Sequence, residues 1–245
     1  MRHKGLFGFG GLLEFGRNRT LYGLFLFCAV CAIAGSLLSY NGETSFWRWL
    51  HYLTKPTATL LLLAAVLCSG RPRSKSYGFA VAFGLAFAAL GDFFLMLPGD
   101  YFMAGLVCFL ITHCAYIYAL SRHNRFAQNK APFIVFGLAA IALITGLWTA
   151  LPGGMKIPVI LYAAALGTMA AQAFSRASST EPETPQHYAA WLAALGGLFF
   201  MVSDTLLAYD RFRFDIPLNG LWVLATYYVA QFLFARSTED FTHER

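Results

Sequence analysis

Eight runs of about twenty apolar residues follow one another at 20–39, 50–69, 76–97, 101–120, 131–151, 155–174, 188–208 and 217–235, joined by short connections. About twenty residues of helix are needed to cross the hydrocarbon of a bilayer, so each run is long enough to span it. The expected fold is an all-α integral membrane protein, a bundle of eight transmembrane helices. One domain covers 20–235, with an N-terminal tail at 1–19 and a C-terminal tail at 236–245. Composition agrees, since 12% of residues are charged, against about 25% in soluble domains. The first run contains Ala32-Ile33-Ala34, a pattern that signal peptidase accepts, but apolar sequence continues past it, so an uncleaved helix is expected.

The net charge of +6 raises the question of nucleic acid, but the basic residues gather in the connections, where they orient spans in the membrane. Thirteen Lys and Arg fall on the side of the termini, from Arg2 through Arg71, Arg122 and Arg176 to Arg245. Only Arg48, Lys156, Arg211 and Arg213 fall on the other. This bias places both termini in the cytoplasm, of a bacterial inner membrane if the source is bacterial, and argues against a nucleic-acid partner. The five cysteines lie inside apolar runs, where free thiols behave as small hydrophobes. Cys28-x-x-Cys31 has redox or metal spacing without His or acidic neighbours, so packing is expected. Residues 175–187 are polar and hold two prolines, which reads as a flexible loop.

Against this background three charges stand inside apolar runs. Ala80, Gly84 and Ala88 lead at helical spacing to Asp92, and Ala193, Gly197 and Met201 lead similarly to Asp204. Small residues let a neighbouring helix approach closely, so both carboxyls are expected to face the bundle interior. Lys55 precedes Pro56, which removes a backbone donor and is expected to open its helix locally. An ionisable group in mid-membrane costs ~2.5–3.5 kcal/mol on insertion scales and marks a functional site by default. With the orientation above, Lys55, Asp92 and Asp204 share one depth in the outer half. His113, Tyr116, Tyr227, Gln231 and Asn219 are candidates for lining the same cavity, although interhelical packing explains each one singly. Histidines and cysteines do not gather into a ligand set, so no metal and no other cofactor is expected.

The chain also carries a short echo. Phe87-x4-Asp92-x2-Leu95 returns as Phe199-x4-Asp204-x2-Leu207, and Lys55-Pro56 is loosely repeated by Lys156-x-Pro158. Four runs separate each pair, which suggests two four-helix halves in parallel orientation.

Several of these residues fall in motifs that resemble the YhhN-like lysoplasmalogenase family. They are Lys55-Pro56, Gly91-Asp92-x-x-Leu95, Phe102-x-x-Gly105-Leu106-x-x-Phe109-Leu110-x-x-His113-x-x-Tyr116-Ile117, Ser203-Asp204-x-x-Leu207-Ala208 and Thr226-Tyr227-Tyr228-x-Ala230-Gln231. The resemblance implies a membrane enzyme that hydrolyses the vinyl ether of lysoplasmalogens to a fatty aldehyde and a glycerophospho-alcohol. Its partner would be a lysophospholipid within the membrane.

Vinyl ether hydrolysis begins with protonation of the alkenyl carbon beyond the ether-bearing one, which leaves an oxocarbenium ion for water to capture. It needs one neutral carboxyl as proton donor and one carboxylate to stabilise the cation or activate water, as in glycosidase pairs. Asp92 and Asp204 are the expected catalytic pair, with either one as the acid. Lys55 would hold phosphate or bias the proton, while His113, Tyr116, Tyr227, Gln231 and Asn219 would position substrate or water. A proton-coupled carrier would place the same charges in the membrane but move solute without turnover. A scaffold or receptor would need them only for packing.

Overall fold

The computed structural model describes residues 18–40, 45–69, 74–122 and 124–240. The expected N-terminal tail lies outside these residues except at its last two positions. Among the described residues eight α-helices follow in chain order: α1 Arg19–Tyr40, α2 Ser45–Leu67, α3 Lys75–Met96, α4 Phe102–Ser121, α5 Ala131–Leu147, α6 Lys156–Ser178, α7 Pro185–Phe212 and α8 Asn219–Arg236. The all-α membrane bundle expected from the sequence is what the chain forms. Six of the helices are long and apolar enough to cross a membrane. The other two are α5, apolar but only 17 residues long, and α8, with 18 residues whose hydropathy is diluted by Asn219, Tyr227, Tyr228 and Gln231. At 1.5 Å per residue α5 measures about 25 Å, short of the ~30 Å hydrocarbon core.

Local chemistry sets the helix ends. Ser74 caps α3 by accepting from the Tyr77 amide at 3.4 Å, and Thr184 caps α7 by accepting from the His187 amide at 3.1 Å. Pro185 stands in the first turn of α7, where its missing N–H is no loss. The stretch expected as a loop at 175–187 is thus mostly helical, with only residues 179–184 connecting α6 to α7. The Ser175 hydroxyl accepts from the Asn129 amide at 3.0 Å, and the buried Arg176 guanidinium lies 4.6 Å from the Tyr77 ring centre, so the last turn of α6 is held in place. The expected C-terminal tail is likewise anchored where it begins. Ser237 and Thr238 are buried, Tyr77 bonds Ser237 at 2.8 Å, and Tyr22 donates to Glu239 at 2.5 Å.

Helices α1, α2, α3, α4, α6, α7 and α8 pack in that order and close into a ring through the contact of α8 with α1. Helix α8 also touches α2 and α3, while α5 lies outside the ring against α6 and, more lightly, α7. Outward positions are apolar, as at Phe27, Phe79, Ile134 and Ile157, each more than 60% exposed. The small-residue faces point inward as expected, because Ala80, Ala88 and Ala193 are buried together with both aspartates. At Gly84 a Cβ would sit 2.3 Å from Tyr116 Cε1, and at Gly91 one would sit 2.7 Å from Phe109 Cε2. Only glycine there lets the aromatic rings of α4 lie flush on α3, next to Asp92. Pro56 lies inside α2, and the helix continues through it.

Candidate active site

Two interior carboxyls are held in parallel ways. Asp92 on α3 accepts from the Thr59 hydroxyl of α2 at 2.7 Å and from the Tyr227 hydroxyl of α8 at 2.6 Å, both on Oδ2. Its Oδ1 faces Lys55 Nζ of α2 at 3.8 Å. That is ion-pair distance but beyond hydrogen-bond reach, so the ammonium donors are not consumed by Asp92. Asp204 on α7 accepts on Oδ2 from the Tyr162 hydroxyl of α6 at 2.5 Å. The Tyr162 oxygen lies 3.0 Å from His113 Nε2 of α4, which is itself 3.4 Å from Asp204 Oδ2. Since Tyr162 gives its proton to Asp204, its oxygen accepts from His113. The chain of donation therefore runs His113 to Tyr162 to Asp204.

The echo noted in the sequence has a counterpart here. Counting α1–α4 and α5–α8 as halves, each aspartate sits on the third helix of its half. It is bonded to the second helix of that half and linked to the fourth helix of the other. Lys156, however, does not play the part of Lys55, because its ammonium lies 4.5 Å from the Trp148 ring centre. Tyr162, one turn beyond Pro158, takes the corresponding place.

Lys55, Asp92, Asp204 and Tyr227 line one cavity of about 220 Å³, completed on its polar side by Ser203 and at its rim by Asp100, Tyr101 and Arg211. Arg211 pairs with Asp100 at 2.9 Å across that rim. A narrower apolar slot of about 40 Å³ adjoins it and shares Leu95, Phe102, Phe109, Leu207 and Asp204 with its wall. Asp204 thus stands where polar and apolar spaces meet. A carboxyl at such a junction can pass a proton to an apolar carbon while the polar side supplies water and charge.

The remaining candidates lie elsewhere. His113 is fully buried behind Tyr162, which lines the slot and links it to Asp204. Tyr116 donates to Gln231 at 2.7 Å and stacks on Phe234 with ring centres 4.2 Å apart. Neither of that pair lines the cavity, and they tie α4 to α8. Asn219 bonds Asp210, which also accepts from the Ile216 amide at 2.8 Å, so Asn219 shapes the turn between α7 and α8. Sequence reasoning missed Thr59, Tyr162 and the Arg211–Asp100 pair. For Thr59 a signal exists, since it lies four residues after Lys55 and hence on the same helix face. Among the described residues no three His, Cys, Asp or Glu side chains gather as a metal site would require.

Comparison with known proteins gives the arrangement its relatives. Lysoplasmalogenase TMEM86A of Homo sapiens is 31% identical over 171 residues, 64% of each chain, and the Bos taurus protein of that name is 31% identical over 163 residues. Lysoplasmalogenase TMEM86B of Sus scrofa is 29% identical over 195 residues, 78% of this chain and 76% of the relative. The chain thus spans 64% of the length of the first of these relatives. No solved structure matches. Residues 50–238, which include every side chain of the cavity, match the model of the YhhN family, and the chain belongs to that family.

Proposed function

We propose that the protein hydrolyses the vinyl ether of lysoplasmalogens, with Asp204 as proton donor and Asp92 as the ionised partner. The observation that carries this reading is the junction at Asp204, where a cavity with a lysine and a second carboxylate meets an apolar slot. A lysoplasmalogen has the same polarity profile, with its vinyl ether between glycerophosphate and hydrocarbon. The relatives' names, lysoplasmalogenase, agree with that substrate.

The hydrogen bonds and the ion pair support this division of roles. Asp92 receives two hydroxyl protons and faces an ammonium, all of which favour a carboxylate. One lysine in the cavity balances one carboxylate, and a second unpaired negative charge away from water is costly. On this reading the proton-donor role falls to Asp204. Tyr162 occupies its Oδ2, which leaves Oδ1 to carry that proton toward the cavity.

Asp204 gives its proton to the alkenyl carbon beyond the ether-bearing one, and the double bond becomes an oxocarbenium ion. Asp92 stabilises the cation and takes a proton from the water that adds to it, forming a hemiacetal. The hemiacetal hydroxyl returns a proton to Asp204 as the bond from carbon to the glycerol oxygen breaks, and Asp92 delivers its proton to that oxygen. Aldehyde and alcohol leave, and both carboxyls regain their starting states. Lys55, with its donors free, holds the lipid phosphate, and Tyr227 keeps Asp92 oriented.

The test is incubation of purified protein with alkenyl and acyl lysophospholipids, followed by aldehyde detection. Aldehyde is expected from the alkenyl lipids alone. Asp204→Asn and Asp92→Asn keep size and polarity but cannot titrate, and each should lose 10²–10⁴-fold in turnover, about the contribution of general acid–base catalysis. Thermal stability should change far less. Asn variants that turn over substrate at the parent rate would contradict the assignment, and solute uptake without product would favour a carrier.

A further inference from the structure

The slot beside Asp204 has features that catalysis alone does not require. It runs along α7 from Asp204 to Phe212, about 12 Å of helix. Its walls come from Leu106 on α4, Leu143 and Leu147 on α5, and Ala163 on α6. Among the described residues α4 and α5 do not pack on each other, since both lean on α6. Helix α6 therefore stands between these two slot-lining helices. Helix α5 is the short element outside the ring, and its outer positions Ile134, Val135, Leu138 and Ile141 are all more than 60% exposed. At about 40 Å³ the slot is too narrow for a long hydrocarbon unless a wall gives way. The wall with the fewest attachments is α5.

We propose that this slot receives the substrate's single hydrocarbon chain and that Ala163 sets how much chain it accepts. The proposal rests on the lysolipid reading above and adds the specificity element. Its physical grounds are continuity and size. The slot shares Asp204 with the cavity that holds Lys55, so a chain in the slot and a phosphate near Lys55 place the intervening vinyl ether at the carboxyl. A narrow slot with one movable wall suits the one chain of a lysolipid and rejects the two of a diacyl lipid. Ala163 is buried against Leu143, Leu147 and Val159, so a larger side chain at this position displaces methylenes of a bound chain.

The experiment compares Ala163→Phe and Ala163→Leu with the parent, using hexadecenyl and octenyl lysoplasmalogens for turnover. Binding is read with non-hydrolysable hexadecyl and octyl ether lysophosphocholines. In Ala163→Phe the ratio of kcat/KM for the long over the short chain should fall by on the order of tenfold or more, the scale on which a pocket discriminates a methylene or two. Ala163→Leu should fall in between. The hexadecyl ether should lose affinity while the octyl ether loses little. A variant damaged in folding loses both chain lengths together, and the Leu variant then decides. An unchanged long-to-short ratio in a folded variant overturns the slot assignment even if the parent is a good hydrolase. If the parent releases no aldehyde but its preference for the hexadecyl ether disappears in Ala163→Phe, the slot stands and the catalytic reading falls.

Discussion

On the proposed reading, the separate roles of the two carboxyls depend on Tyr162. Its hydroxyl donates to Asp204 Oδ2 and accepts from His113, which leaves Oδ1 without a bond to Tyr162. Removing the hydroxyl in Tyr162→Phe deletes a hydrogen bond to an acidic group, about 1.5–3 kcal/mol, or roughly 10–100-fold if felt only in the transition state. The expected result is a fall in kcat with KM nearly unchanged and an altered pH–rate profile, measured by aldehyde release. A raised KM at constant kcat would instead make Tyr162 a substrate-binding group. Asp92, Asp204 and Lys55 were legible in the sequence because a charge inside an apolar run is expensive and stands out. Thr59 and Tyr162 were not, since a hydroxyl costs little in a helix and becomes meaningful only when a neighbouring helix brings it a carboxylate. Tyr116 and Gln231 show the reverse, polar residues in the right helices whose partners turn out to be each other.

Hydropathy located the eight helices of the described residues but placed several ends a turn short. Helices α6 and α7 extend into the stretch expected as a loop because Thr184 caps one and the buried Arg176 anchors the other. Composition could not show this, since capping and stacking depend on partners distant in sequence. Orientation is a separate matter, carried by loop charge. On the reading that both termini are cytoplasmic, α3 and α7 run outward and α2 runs inward, which brings Lys55, Asp92 and Asp204 to one depth in the outer half. Paired reporter fusions after Arg245 and within the loop between α7 and α8 test it. The enzyme reporter that works only outside the cytoplasm should be active in the loop fusion and silent at the C-terminus. Activity at the C-terminus would invert the bundle and move the site to the inner half.

Among the described residues, seven helices form a ring that encloses Lys55, Asp92 and Asp204, with an eighth leaning on it from outside. The ring forces α8 against α2 and α3, which brings Tyr227 to Asp92, and α4 against α6, which brings His113 to Tyr162. The sequence hinted at this through its echo of Phe-x4-Asp-x2-Leu, yet the exchange of partners between halves is a property of closure that no single run encodes. On the proposed reading this enclosure serves to protonate one alkenyl carbon from Asp204. Running the reaction in deuterium oxide and analysing the fresh aldehyde by mass spectrometry tests it most directly, because the transferred proton comes from a carboxyl that exchanges with solvent. A single deuterium is expected on the carbon next to the aldehyde, formed by the parent protein and lost with turnover in Asp204→Asn. Aldehyde without deuterium at that carbon, or deuterated aldehyde formed equally well by Asp204→Asn, would contradict it.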